Sequence, residues 1–502
     1  MHRGPVGLLA LLLAAPAPLW GQDERGRTDL TPASVERYEK ALAKAAPSVV
    51  AVVVSHRKYP DPAADPSHLG RYRPPPRNRT GDPKLDLSDP ESWPDNLTGS
   101  GLVVDAAAGL VLTAYHLIEG ATKVYVRTAA GTGSYADIHA ADARSDLAVL
   151  KLLDPPGDLV AVRFANVRTH EGPNGERPTV RQLTPLIAVG HKPSGVLSGG
   201  PPTAHPVWVG NVGLSVPGVS GVREESRNRA LYHYGVLIET SAAGGLGTSG
   251  GGLFNLDGEL VGMSATLAAA SAGGYAIPFD HSYRRIVDVL KAGREVEYGF
   301  LGVTLGGRFG DGGRVTLTGV TPDSPAAVAG LEAGDTITSI DGKPVFRQDD
   351  LFLHIAAALA DTPVRITYLR NNPFRGGGAR ATTATLDKSP HSFPWIASAR
   401  PAPVFGLRVE YSSVMQAEQG AGSRGLPPGV MVRELVPGSA AEARFKQLGG
   451  DQPARWLITA VDGTPTPKPS AFYAATAGKK SVTLSLIDPA SGKPSQLTLP
   501  GQ

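Results

Sequence analysis

From Gly99 to about residue 280 the chain passes through one short apolar segment after another, with no helical stretch between them. Nothing else in the sequence constrains the fold as tightly. "GSGLVVDAAAGLVLTAYH" (Gly99–His116) reads as two strands around a turn, and "TKVYVRTAAG", "YADIHAADARSDLAVLKLL" and "TPLIAVG" add further strands with alternating patterns. "GGLFNLDGELVGMSA" is a strand pair joined at "LDG", where Gly258 can adopt positive φ. Many short strands over about 200 residues predict a mainly β domain, a barrel or a sandwich. "PSVVAVVVS" (Pro47–Ser55) adds a buried strand upstream. A helix is expected before it, capped by Thr31, opened by Pro32 and facing the core through Val35, Tyr38, Leu42 and Ala45. Another is expected over Pro278–Gly293, with proline at its start and glycine past its end.

The last two hundred residues repeat themselves. "VTPDSPAA" (Val320–Ala327) and "ITSIDGKPV" (Ile337–Val345) return in the same order as "LVPGSAAE" (Leu435–Glu442) and "ITAVDGTPT" (Ile458–Thr466). Two phrases at a nearly constant offset predict a duplicated domain with a small insertion in the second copy. The separator, "SPHSFPWIASARPAP" (Ser389–Pro403), is rich in Pro and Ser and reads as a linker. The domains expected are thus 22–296, 297–388 and 404–502, with 389–403 between the last two.

The chain of 502 residues carries a net charge of +3 and no basic stripe with interleaved aromatics, so no nucleic-acid partner is expected. It has no cysteine, which excludes disulfides, thiolate metal sites and a cysteine nucleophile. Its twelve histidines hold no HExxH pattern, and no metal or other cofactor is expected. Residues 1–21 have a basic start, an apolar stretch too short to span a bilayer, then small residues. They read as a cleaved signal peptide of a secreted or periplasmic protein, and no transmembrane anchor is expected. Nine prolines between Pro60 and Pro94, with few aliphatics, make 56–95 a long exposed loop.

Ser249 stands in "GLGTSGGGLFNLDGELVG" (residues 245–262). A serine hydroxyl is a weak nucleophile at neutral pH. It needs a base within hydrogen-bond reach, an acid fixing the base's tautomer, and N–H groups aimed at the developing oxyanion. His116, at the end of an apolar strand in "LVLTAYHLIEG", is the candidate base. Asp146, at the mouth of another in "DARSDLAVLKL", is the candidate acid. Glycine-rich runs are usually loops and polar strand ends are common, so the residues by themselves leave the plain structural reading open.

The phrases "TGSGLVVDAAAGLVLTAYHLI", "DARSDLAVLKL", "GTSGGGLFNLDGELVGM" and "GYAIPFD" resemble, in order and context, the HtrA/Deg (Do-like) serine proteases. Thr113 to His116 matches the family's T-x-x-H, Ser145 to Leu150 its S-D-L-A-V-L, and Gly247 to Gly251 its G-N-S-G-G. The resemblance spans roughly residues 30–500. It implies a chymotrypsin-like double β-barrel followed by two PDZ-like α+β domains, with catalytic residues His116, Asp146 and Ser249. The N–H groups of Gly247, Thr248 and Ser249 would form the oxyanion hole. Family position also assigns a substrate pocket to Gly244, Gly245, Leu246, Ser264, Ala265 and Thr266, taking a small or medium aliphatic side chain. "YGFLGVTL" resembles a PDZ carboxylate-binding loop, so Phe300, Leu301, Gly302 and Val303 would receive peptide C-termini. The second copy is less regular, since "RFKQLGGDQPARW" replaces the compact Ala329–Asp335.

The function implied is an exported, ATP-independent endoprotease acting on unfolded or damaged proteins, assembled as a homo-oligomer, a trimer or a multiple of it. The sequence also departs from the family: Thr248 stands for the usual Asn and Gly252 for the usual Pro. Those changes leave a second reading, a weakly active or inactive protease-like chaperone or peptide-binding scaffold.

Overall fold

The computed structural model describes residues 31–55, 97–171, 175–192, 200–214, 230–234, 236–241, 249–265, 274–306, 314–370, 378–390, 394–414, 427–448, 456–489 and 491–501. The expected signal peptide 1–21 and loop 56–95 lie outside them.

Helix α1 (Pro32–Ala45) starts at the expected cap: Thr31 Oγ1 accepts the Ser34 N–H at 3.3 Å, and Pro32 opens the first turn. It buries Ala41 and Ala45, with Tyr38 and Leu42 beside them, but leaves Val35 exposed, contrary to the expected face. The small residues let the helix lie close over the turn that contains Gly258. A Cβ on Gly258 would stand 2.7 Å from Lys44 Cβ, and its φ is +77°. Packing and turn geometry both require glycine there.

Strands β1 (Val49–Ser55), β2 (Leu97–Asp105), β3 (Leu110–Ala114), β4 (Lys123–Arg127), β5 (Gly133–Asp142) and β6 (Leu147–Leu152) form the first barrel. Their order is β5-β4-β1-β2-β3-β6, and pairing of β5 with β6 closes it. The second barrel joins β7 (Pro185–Gly190), β8 (Thr203–Leu214), β9 (Leu237–Thr240), β10 (Gly252–Phe254), β11 (Leu260–Ala265) and β12 (Gly274–Pro278), closed in the order β10-β11-β12-β9-β8-β7. In β4 the buried Val124 and Val126 alternate with half-buried Lys123, Tyr125 and Arg127, the period-2 signature of a sheet with one face in the core. The expected double barrel is present. A single-turn helix, α2 (Tyr115–Ile118), follows β3.

Helix α3 (His281–Lys291) is shorter than Pro278–Gly293. Pro278 still pairs with Gly262 in the sheet, and the cap is Asp280, whose carboxylate accepts the N–H groups of Ser282 and Tyr283.

The two C-terminal units share one topology. The first holds β13 (Gly299–Phe300), β14 (Val303–Leu305), β15 (Val315–Val320), α4 (Pro325–Val328), β16 (Thr336–Ile340), β17 (Lys343–Pro344), α5 (Gln348–Ala357), β18 (Pro363–Arg370), β19 (Gly378–Thr385) and β20 (Asp387–Lys388). Its main sheet runs β14-β15-β16-β18-β19, with β17 on β16. After β21 (Trp395–Ala397) come β22 (Leu407–Tyr411), β23 (Val430–Leu435), α6 (Ala440–Gln447), β24 (Leu457–Val461), β25 (Thr464–Pro465), α7 (Pro469–Thr476), β26 (Ser481–Ile487) and β27 (Pro494–Pro500). Their sheet runs β22-β23-β24-β26-β27, with β25 on β24.

The repeated phrases have repeated jobs. Ser324 and Ser439 cap α4 and α6, accepting the N–H groups of Ala327 and Glu442. Asp341–Gly342 and Asp462–Gly463 all have positive φ, as a two-residue hairpin turn of the primed type needs. The insertion expected in the second copy appears as the longer α6, eight residues against four in α4.

The segment 389–403, expected as a linker, is no free coil. β21 pairs with Ala140–Asp142 of β5, and the Ala143 N–H donates to Pro394 O at 3.2 Å. The "WIA" run supplies extended backbone that adds to an open length of β5.

Candidate active site

His116 is held where β3 gives way to α2, and its own N–H donates to Asp146 Oδ1 at 2.9 Å. Asp146 sits between β5 and β6 with φ +58°, a left-handed conformation that Asp tolerates better than most residues. That tight turn is held from inside by Asp142, 1% exposed, whose Oδ2 accepts the Ser145 N–H at 2.8 Å and hydroxyl at 2.6 Å, and the Tyr298 hydroxyl. The Arg144 guanidinium lies 4.5 Å from the centre of the Tyr298 ring. Burial pushes the Asp142 carboxyl above the ordinary range, against those hydrogen bonds.

The three candidate catalytic groups meet in line. His116 Nδ1 lies 2.8 Å from Asp146 Oδ2, and His116 Nε2 lies 2.7 Å from Ser249 Oγ. With a proton on Nδ1 directed at the carboxylate, Nε2 presents its lone pair to the serine hydroxyl. Burial pulls the His116 pKa down, but the hydrogen bond and charge of Asp146, with Glu119, outweigh it and raise the pKa above its usual value.

The backbone around Ser249 is tied to both barrels. Ser249 O accepts the Ser100 N–H at 2.9 Å, the Gly250 N–H donates to Ser264 O at 3.0 Å, and the Ser264 N–H donates to Gly251 O at 2.7 Å. Behind them, Thr113 Oγ1 donates to Ser100 O and Ser100 Oγ accepts the His191 N–H. Gly250 has φ +89°, and a Cβ there would stand 2.0 Å from Ser100 O. Gly252 is constrained too: a Cβ would meet the Phe254 ring at 2.4 Å. Glycine in place of the usual proline therefore fits this chain's own packing.

Of the other expected site residues, Ser264 adjoins the nucleophile's strand, whereas Ala265 is buried in the core shared by the barrels. Gly244, Gly245, Leu246, Gly247, Thr248 and Thr266 lie outside the described residues. In the first C-terminal unit Leu301 is buried in the core. Gly302 has φ +82°, and a Cβ there would stand 2.2 Å from Ser324 Cβ. Phe300 pairs with Asp387, and Val303 begins β14, which stands at the edge of its sheet. Sequence reasoning missed Asp142 and Tyr298. The only signal was a second aspartate in "DARSD", four residues before Asp146. Among the described residues no cluster of three or more His, Asp or Glu side chains is arranged to hold a metal ion.

Comparison with known proteins agrees with this geometry. The family model for trypsin-like peptidase domains matches residues 99–263, and that for PDZ domains matches 316–370, a single copy rather than the two expected. A probable periplasmic serine protease do/HhoA-like of Haemophilus influenzae is 30% identical over 286 residues, 54% of this chain and 55% of that protein. The periplasmic serine endoprotease DegP of Salmonella typhimurium is 28% identical over 357 residues, 68% of this chain and 65% of that protein. For DegP of Escherichia coli K12 the figures are 28% over 391 residues, 74% and 72%. The chain thus spans between about half and three quarters of the length of these relatives. With a peptidase domain followed by a PDZ domain, and with Deg proteins among its relatives, the chain is similar in domain content and sequence to the HtrA/Deg serine proteases.

Proposed function

We propose that the chain is an exported, ATP-independent serine endoprotease that degrades unfolded or damaged proteins. The observation that carries this reading is the aligned pair of contacts from Ser249 Oγ to His116 Nε2 and from His116 Nδ1 to Asp146. Ser249 attacks the scissile carbonyl while His116 takes its proton. His116 then returns that proton to the leaving amine, Asp146 steadies the imidazolium, and water releases the acyl group by the same route. The N–H groups of Gly247, Thr248 and Ser249 receive the oxyanion.

The first PDZ unit binds peptide C-termini beside Phe300, Leu301, Gly302 and Val303, where an added strand would pair with the edge of β14. The periplasmic naming of the relatives supports export to that compartment, and no helix among the described residues is long and apolar enough to cross a membrane. The family resemblance supports a homo-oligomer, a trimer or a multiple of it, which sedimentation at graded concentrations would report.

Digestion of unfolded casein by wild type and by Ser249→Ala, over a temperature series, tests the activity. Cleavage by the wild type that Ser249→Ala lacks is expected. Absence of Ser249-dependent cleavage at every temperature would favour the peptide-binding scaffold.

A further inference from the structure

Asp146 lies in the turn 143–146, between Asp142 at the end of β5 and Leu147 at the start of β6, which pair with each other. Three residues of that turn are tied to distant segments. The Ala143 N–H donates to Pro394 O, the Leu231 N–H to Arg144 O, and the Tyr115 N–H to Asp146 O at 3.0 Å. Ser145, the remaining one, is held by the Asp142 carboxylate through both its N–H and its hydroxyl.

A further donor to that carboxylate comes from far along the chain. The Tyr298 hydroxyl also reaches Asp142 Oδ2. Its ring is buried in the core shared by the barrels, with the Arg144 guanidinium 4.5 Å from the ring centre. Its backbone already belongs to the first C-terminal unit: the Ser389 N–H donates to Tyr298 O at 2.7 Å, and the next residue, Gly299, begins β13. Tyr298 thus stands well past residue 263, where the match to peptidase domains ends.

All three donors converge on Oδ2, while Oδ1 has no hydrogen-bond partner among the described residues. A protonated acid would carry an O–H of its own with nothing to receive it, so the arrangement suits the carboxylate. Arg144, Tyr298 and Tyr115 are the ionisable groups that face it. Burial, and then the charge of Asp142, push the Tyr298 hydroxyl well above its ordinary range, which keeps it a donor. A carboxylate without water depends on its donors. Loss of the phenol hydroxyl leaves Ser145 to compensate, and a shift of Ser145 passes to Asp146 through the peptide bond between them.

We propose that Tyr298 is a positioning residue for catalysis: its hydroxyl, acting through Asp142 and Ser145, holds Asp146 where it orients His116. The proposal rests on the protease reading and adds to it a residue from beyond the matched peptidase domain. Asp146 serves proton transfer and not the holding of substrate, so the contribution of Tyr298 belongs in kcat and not in KM.

The test is steady-state cleavage of one peptide by the full chain, over a range of pH, with a thermal midpoint for each variant. Wild type is compared with Tyr298→Phe, Asp142→Asn and the double variant. Phenylalanine keeps the ring and its packing on Arg144 and removes one hydroxyl. For Tyr298→Phe, kcat is expected to fall by about ten- to a hundredfold with KM little changed. The acid half-point of kcat/KM should move down, because a displaced Asp146 supports the protonated His116 less. Asp142→Asn should show the same two changes, and the double variant should lose little more than either single one, as groups acting in series do. If Tyr298→Phe does not fold, Ser145→Ala, which removes the other hydroxyl from the same carboxylate, decides by the same readouts. A lowered thermal midpoint with kcat and the acid half-point unchanged would make the hydroxyl merely structural and overturn the proposal, and so would fully additive losses. Both outcomes leave the protease reading standing, since Ser249-dependent cleavage by wild type is its separate test. If no cleavage depends on Ser249, the protease reading falls and the proposal falls with it.

Discussion

Asp146 and Gly250 show how much a single backbone conformation can carry. Asp146 accepts both from the His116 ring and from the His116 N–H, so its carboxylate fixes the tautomer and position of the base together. Asp146→Asn should keep the fold but lower kcat by about ten-thousand-fold, because the amide favours the wrong tautomer; steady-state kinetics and an unchanged thermal midpoint would check both halves. Gly250→Ala meets a carbonyl oxygen at 2.0 Å and a φ of +89° at once. It should cost roughly 2 kcal/mol or more in urea unfolding, and the residual folded fraction should cleave poorly because Ser249 moves with the strand. The pH profile follows from His116. In the proposed mechanism the neutral ring is the base, and Asp146 raises its pKa above the usual 6.5 against the effect of burial. Activity should therefore fall as pH drops through that raised value, with the half-point above 6.5 in kcat/KM.

At the scale of elements, the two C-terminal units share a strand order but differ in the groove between edge strand and helix. In the first, β14 stands at a sheet edge, and the Gln348 amide at the start of α5 reaches Gly306 O at 2.6 Å, just beyond the strand. In the second, Tyr473 of α7 packs partly buried against the core that holds Val409 of β22, the strand that a peptide would have to join. The N-terminal end of α7 is also committed: Lys468 lies 3.2 Å from the Asp361 carboxylate of the first unit, and Ser470 donates to it. Calorimetric titration with a peptide ending in a free carboxylate should accordingly find one site per chain. Gly302→Val should abolish it, since the branched side chain meets both a positive φ and Ser324. These motifs were legible because they are local. "IDGKP" and "VDGTP" demand a primed turn, and "DSP" and "GSA" supply a capping serine, whatever surrounds them. The length of α3 was misjudged for the opposite reason: Pro278 suits a first helical turn, but its place in the sheet beside Gly262 prevailed.

For the whole molecule, the junction of the three domains turns on one buried cation. Lys388, 3% exposed, lies 2.7 Å from Glu295, 2.9 Å from Glu410 and 3.7 Å from Glu297, so one ammonium joins the end of the protease domain to both later units. Lys388→Ala should cost roughly 3–5 kcal/mol because it leaves buried carboxylates unpaired, whereas Lys388→Met together with Glu410→Leu should cost less; thermal unfolding would separate the two. Loss of water pushes the half-buried Glu297 up to about 7, against the pull of Lys388 and with the help of Glu295, Glu410 and Asp361. The folded junction thus holds a proton that the unfolded carboxyl releases near 4.5. Stability should fall as pH rises through that window to about 7, and Glu297→Gln should flatten the fall in the thermal midpoint. The sequence by itself determined the strands, the turns and the duplication, because periodicity and turn chemistry are properties of neighbouring residues; His116, Asp146 and Ser249 were singled out by the resemblance of three phrases to a known family. Only the tertiary structure decided that "WIA" adds a strand to the first barrel and that Asp142 and Tyr298 brace the turn of Asp146. Those facts depend on which distant segments burial brings together, and residues far apart in the chain carry no mark of one another until the barrels close.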